Sequence, residues 1–155
     1  MKLISPTGKG IRLDDDWGSG LFGAPRGSGY HYGTDFICEP GKPVFAPVTP
    51  ISFGPSKPYA DNPEYGGIQF EMQWCFIELW YIVLHRWVSD PRAKAFVKQG
   101  MEIGICQDIR EKVSTSTGKP FGDRMIPHLH LQIRLNPYHI LPQGDRVFIN
   151  PEDWL

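Results

Sequence analysis

The chain has no long apolar run. Its most apolar stretch, Trp74 to Leu84, falls well short of the roughly 18 residues that a membrane-spanning helix requires, and its residues suit a strand. The opening residues, Met1-Lys-Leu-Ile-Ser-Pro6, lack the apolar core of a secretory signal, so the expectation is a protein made in soluble form. Excess charge of one sign is missing too. With 16 Lys and Arg against 17 Asp and Glu, the formal net charge is −1, which gives no electrostatic ground for a nucleic-acid or membrane partner. Cysteine is scarce and odd in number. Cys38, Cys75 and Cys106 include no C-x-x-C pair, which argues against a disulfide framework and leaves room for one bridge at most. Cys38 and Cys106 have the apolar neighbours of buried thiols, and no cysteine is near enough to a histidine motif to count as a ligand candidate. Internal repeats, low-complexity tracts and long amphipathic helices are also missing.

What is present describes a folded β-rich protein. A length of 155 residues suits one domain, residues 1–155, with an irregular N-terminal segment over 1–17. Apolar residues make up 41% and aromatics 13%, while 15 prolines and 17 glycines are spread along the chain as turn formers between short strands. Residues 1–30 read as irregular, with glycines at 18, 20, 23, 27 and 29 breaking any helix. Extended segments are expected over 34–37, 43–48, 68–76, 77–85, 100–106 and 128–135. One or two helical turns are expected over 90–98, with Asp90 as cap. Residues 54–67 and 107–127 read as long loops, the first suited to the rim of a site. Trp154 and Leu155 are expected to dock on the sheet. The predicted fold class is mostly β, a compact antiparallel β-sheet domain with long loops bordering a groove.

Two short motifs carry the chemistry. In His128-Leu-His130 on a strand, both imidazoles point to one face with Leu129 opposite. In His31-Tyr-Gly-Thr-Asp35, a bend at Gly33 would aim His31 and Asp35 at one point. Together they offer two imidazoles and a carboxylate, with one histidine to spare. A catalytic zinc uses three protein ligands of these kinds and keeps its fourth position open.

The surrounding residues resemble a known family. His31-Tyr-Gly-Thr-Asp35-Phe is similar to the H-x-G-x-D-[FIL] signature of the lysostaphin-type (LytM-like) zinc endopeptidases, and Pro40-Gly-Lys-Pro-Val-Phe-Ala-Pro47 follows it as in that family. Tyr81-Ile-Val-Leu-His85 resembles the family's Tyr-x-His-Leu strand with a different spacer. Val97-Lys-Gln-Gly-Met-Glu-Ile-Gly104, Pro127-His-Leu-His-Leu-Gln-Ile133 and Asn150-Pro151 complete the series in order, over residues 18–155.

The resemblance implies one Zn2+ held by His31, Asp35 and His130, with His85 and His128 as catalytic imidazoles facing the open position. It implies an enzyme, a zinc metalloendopeptidase acting on peptidoglycan peptides at the cell wall. His139 is left without a role, and Tyr30, Tyr32, Tyr59 and Tyr65 are candidates for the groove rim. Gln132 stands where an acidic residue is commoner, which bears on a hydrogen bond to the ligands. Extra residues at 119–126 and a long 55–65 loop bear on substrate choice. The alternative is a non-catalytic zinc-containing homologue that binds cell-wall fragments or serves as a structural component of an assembly. A mononuclear iron oxygenase is disfavoured, since its carboxylate follows the first histidine by two residues, not four.

Overall fold

The computed structural model describes residues 2–27, 29–59, 62–88, 90, 96–113, 118–135 and 146–155. Four short strands come first, β1 (Asp14–Asp15), β2 (Gly18–Ser19), β3 (Pro25–Arg26) and β4 (Gly29–Tyr30). They pair as two ribbons, β1 with β2 and β3 with β4. The strands β5 (Thr34–Ile37), β6 (Pro43–Phe45), β7 (Ser52–Ser56), β8 (Gly67–Glu71) and β9 (Cys75–Trp80) follow. Last come β10 (Ile82–Leu84), β11 (Glu102–Cys106), β12 (His128–Leu135) and β13 (Phe148–Ile149). The larger sheet runs β13-β12-β9-β8-β7, with β5 also on β12, and a second sheet runs β10-β11-β6. All pairings are antiparallel. The mostly β, antiparallel fold class read from the sequence is what the chain adopts.

The period-two alternation of β12 divides the molecule. Leu129, Leu131 and Ile133 are fully buried and join Ile77 and Leu79 of β9, Ile68 and Phe70 of β8, and Phe36 of β5. The same cluster takes in Val44 of β6, Ile82 of β10 and Ile103 of β11, so the two sheets share one core. Each such side chain contributes roughly 1.5–3 kcal/mol by leaving water. The opposite face of β12 presents His128, His130, Gln132 and Arg134, the last three paired in register with Trp80, Glu78 and Phe76 of β9.

Several boundaries differ from the sequence reading. The 1–30 region, expected to be irregular, contains the two ribbons and lies along the edge of β5, through Arg12 N–H to the Asp35 carbonyl, Asp35 N–H to the Gly20 carbonyl and Ile37 N–H to the Gly10 carbonyl. The break expected after Phe76 falls earlier, where Met72 N–H donates to the Cys75 carbonyl. The 54–67 loop is shortened by β7, and the extended segment at 43–48 ends at Phe45. Trp154 packs on the core as expected, whereas Leu155 is 39% exposed. The helical turns expected over 90–98 lie mostly outside the described residues, as do His139 and residues 114–117 of the 107–127 loop. All three cysteines are free and buried.

A sharper change comes after β9. Tyr81 adopts φ of 71°, a left-handed conformation that costs a non-glycine residue about 1–2 kcal/mol. Its N–H donates to the Gly66 carbonyl and its carbonyl accepts from Gln107 N–H, so both backbone groups are satisfied across the turn. The chain leaves the larger sheet there and enters the smaller one as β10.

Candidate metal centre

Asp35 on β5 and His130 on β12 are directly opposed in register, and both lie on the edge-facing side away from the core. His31 reaches them because Gly33 allows close approach. A Cβ at Gly33 would lie 2.4 Å from the Leu131 carbonyl oxygen and 2.5 Å from His130 Cε1, so no larger residue fits undisturbed. The three functional atoms form a near-equilateral triangle. His31 Nε2 is 3.0 Å from His130 Nδ1 and 3.2 Å from Asp35 Oδ1, and His130 Nδ1 is 3.0 Å from Asp35 Oδ1.

Hydrogen bonds on the far sides of the rings fix what those atoms are. His31 Nδ1 lies 3.0 Å from the Leu21 carbonyl, which can only accept, so Nδ1 carries the proton and Nε2 a lone pair. The Gln132 amide nitrogen donates to the Glu78 carboxylate at 2.6 Å, which turns its oxygen towards His130 Nε2 at 3.2 Å. His130 therefore donates through Nε2 and presents a lone pair at Nδ1. Two nitrogen lone pairs and a carboxylate oxygen thus converge, an arrangement that repels itself unless a cation sits among them. Donors bound tetrahedrally at 2.0–2.1 Å are about 3.3 Å apart, close to the spacing found. His31, Asp35 and His130 form a group that can hold a metal ion.

The other carboxylate oxygen of Asp35 is held from behind. Arg12, 2% exposed, donates to Asp35 Oδ2 through Nη2 at 2.8 Å and Nε at 3.3 Å, and its Nη1 pairs with Asp15 at 2.7 Å. The sequence reading missed Arg12, which lies 23 residues from its partner in a segment taken as irregular.

His128 stands beside the triangle, with Nε2 at 3.6 Å from Asp35 Oδ2. Its Nδ1 donates to the Ile126 carbonyl at 2.8 Å, leaving a lone pair at Nε2. Burial pushes its pKa below the ordinary value, against the pull of Asp35. His85, expected to face the same position, is elsewhere. Its Nε2 pairs with Glu102 at 2.7 Å and its side chain is 35% exposed. The cause is the turn at Tyr81, which sends the following residues into the second sheet. Tyr81 is the residue of this segment that meets the site, its ring edge-on to His128 at 5.9 Å and its hydroxyl 2.5 Å from that of Tyr59.

These groups open into a cavity of about 360 Å³ walled by Trp17, Tyr59, Phe121 and Trp80, with Arg26 and Lys112 at its border. Trp80 stacks on His130 at 4.7 Å, and Lys112 Nζ lies 3.8 Å from the centre of the Tyr59 ring. Of the four tyrosines expected at the rim, Tyr59 lines this cavity and Tyr32 a neighbouring hollow. Tyr65 is buried against Tyr81, and Tyr30 is exposed on β4.

Fold and site thus define an antiparallel β protein with a His-Asp-His group capable of metal binding. No family model matches the chain. Among known proteins it is similar to leukocyte cell-derived chemotaxin-2 of Mus musculus, 30% identical over 101 residues, covering 64% of this chain and 63% of that protein. It is likewise similar to leukocyte cell-derived chemotaxin-2 of Bos taurus, 30% identical over 95 residues, covering 61% of this chain and 59% of that protein. The chain therefore matches less than two thirds of the length of these relatives. The finding corrects the resemblance to bacterial lysostaphin-type endopeptidases: these relatives are mammalian chemotaxins, and their names carry no reference to a protease, a lysin or cell-wall degradation.

Proposed function

We propose that this chain is a zinc-binding domain that uses its metal to anchor a ligand in an aromatic-walled groove. The carrying observation is the convergence of three lone-pair atoms at 3.0–3.2 Å with both ring tautomers fixed by outer partners. Zinc suits a set of two imidazoles and one carboxylate. When bound, it would supply a Lewis-acidic centre with one position open to a ligand oxygen. The chain's own residues then orient that ligand: Trp80 and Tyr59 offer apolar faces, and His128 Nε2 offers a hydrogen-bond acceptor beside the metal. A binding role suits a site in which only one imidazole remains beyond the ligands, and it agrees with relatives named as chemotaxins.

A second reading, an enzyme that hydrolyses an amide, is favoured by one observation. His128 Nε2 is a buried, unprotonated base close to the triangle, within reach of a proton on a bound nucleophile. The two readings separate in one experiment. Zinc content, zinc-dependent binding of acetohydroxamate, and release of new amino groups from peptides and soluble peptidoglycan fragments are measured for the wild type and His130→Ala. The expected result is one zinc per chain, lost in His130→Ala, with zinc-dependent hydroxamate binding and no amino-group release. Amino-group release by the wild type would favour the enzyme instead. Absence of zinc after loading would overturn both.

A further inference from the structure

A second hollow, about 610 Å³, shares Trp80 with the cavity of the metal group. Its floor follows from strand alternation: Glu78, Gln132 and Arg134 share the face that carries Trp80 and His130. Tyr32 and Phe148, stacked at 4.7 Å, form one wall, and Lys57 stands on the border with Arg146. The charges do not balance. Glu78 is satisfied by Gln132 at 2.6 Å and Arg134 at 3.3 Å, while the side chains of Lys57 and Arg146 make no hydrogen bond or ion pair with any described residue. Among the described residues, therefore, three cations border a cleft whose one carboxylate is already engaged.

We propose that this hollow is a carboxylate-binding subsite, and that the ligand is an extended, peptide-like chain. One end lies at the metal and a carboxylate meets Arg134, Arg146 and Lys57. This rests on the metal-anchoring reading for the first end only. Guanidinium groups match a carboxylate with paired N–H donors, and a cation with no partner among the described residues gives up none of their contacts on binding it. Spacing sets the ligand's length. His130 and Arg134 are four residues apart on β12, roughly 14 Å at about 3.4 Å per residue, which an extended segment of about four residues spans.

The test uses the zinc-loaded protein and trialanine capped at its amine by malonyl hydroxamate, ending either in a free carboxylate or in an amide. The wild type is expected to bind the carboxylate form about tenfold more tightly at low salt. The double variant Lys57→Ala, Arg146→Ala should bind both forms alike while keeping its zinc. Equal affinity of the wild type for both forms overturns the subsite and leaves the metal reading standing. Should neither form bind, the metal reading fails, and the subsite is read alone with acetyl-trialanine. A shift of the Trp80 indole N–H resonance with the carboxylate but not with its amide supports the subsite, and no shift with either overturns it.

Discussion

At the scale of single residues, the metal group depends on what stands behind its ligands. Gln132 is a bridge: Glu78 orients its amide, and the amide oxygen sets the His130 tautomer. Replacing it with leucine frees His130 to protonate at either nitrogen, and zinc affinity should fall about 10- to 100-fold, as removal of such outer partners usually does. Competition with a chromophoric chelator measures this. Arg12 supports Asp35 in a different way, since its removal strands a buried carboxylate. Arg12→Ala should cost about 3–5 kcal/mol in the metal-free protein, read by urea unfolding. Gly33→Ala forces a methyl into the Leu131 carbonyl and the His130 ring, and should cost about 1–3 kcal/mol along with much of the zinc affinity. Some of this was legible in the sequence. The two histidine motifs, five residues and three, announce short-range geometry through Gly33 and through strand alternation. Arg12 could not be read there, because nothing local in Gly10-Ile-Arg-Leu13 marks a guanidinium that meets a carboxylate 23 positions on.

At the scale of elements, β12 was read correctly from His128 to Leu135 because its apolar residues alternate without interruption. The run from Gly67 to Leu84 was harder. From Trp74 to Leu84 it is apolar but for Glu78, and no strong turn residue punctuates it, so the breaks were not marked and three strands were read as two. The left-handed turn at Tyr81 determines where His85 goes, yet no glycine or asparagine marks it. Tyr81 also makes a test of this turn. Its phenol is pushed well above the ordinary range, chiefly by burial and then by Tyr59. A neutral form favoured by the fold stabilises the protein below the unfolded-state pKa of about 10, and that contribution is lost as pH rises through the folded value. Unfolding free energy should therefore decline above about pH 10, and Tyr81→Phe should flatten the decline while keeping zinc. Denaturant titrations at pH 9 and pH 11 measure both slopes.

At the scale of the whole molecule, one core joins two sheets, and the ligand-bearing face of β12 is the side left for function. Metal added to such a site acts as a ligand of the folded state alone. Zinc at a hundredfold excess over its Kd should raise the unfolding free energy by about 2.7 kcal/mol, and chelation should reverse it. The groove from Trp17 past Trp80 to Arg146 was not legible in the sequence, because its members come from segments far apart in the chain. Lys57 and Arg146 in particular look like ordinary surface charges until strand pairing brings them to one cleft. The central claim is the identity of the metal's ligands, and zinc K-edge absorption spectroscopy of the loaded protein tests it most directly. The account predicts two imidazole nitrogens and a carboxylate oxygen, with light atoms only, at about 2.0–2.1 Å. A sulfur shell at about 2.3 Å, or an all-oxygen shell without imidazole scattering, would contradict it.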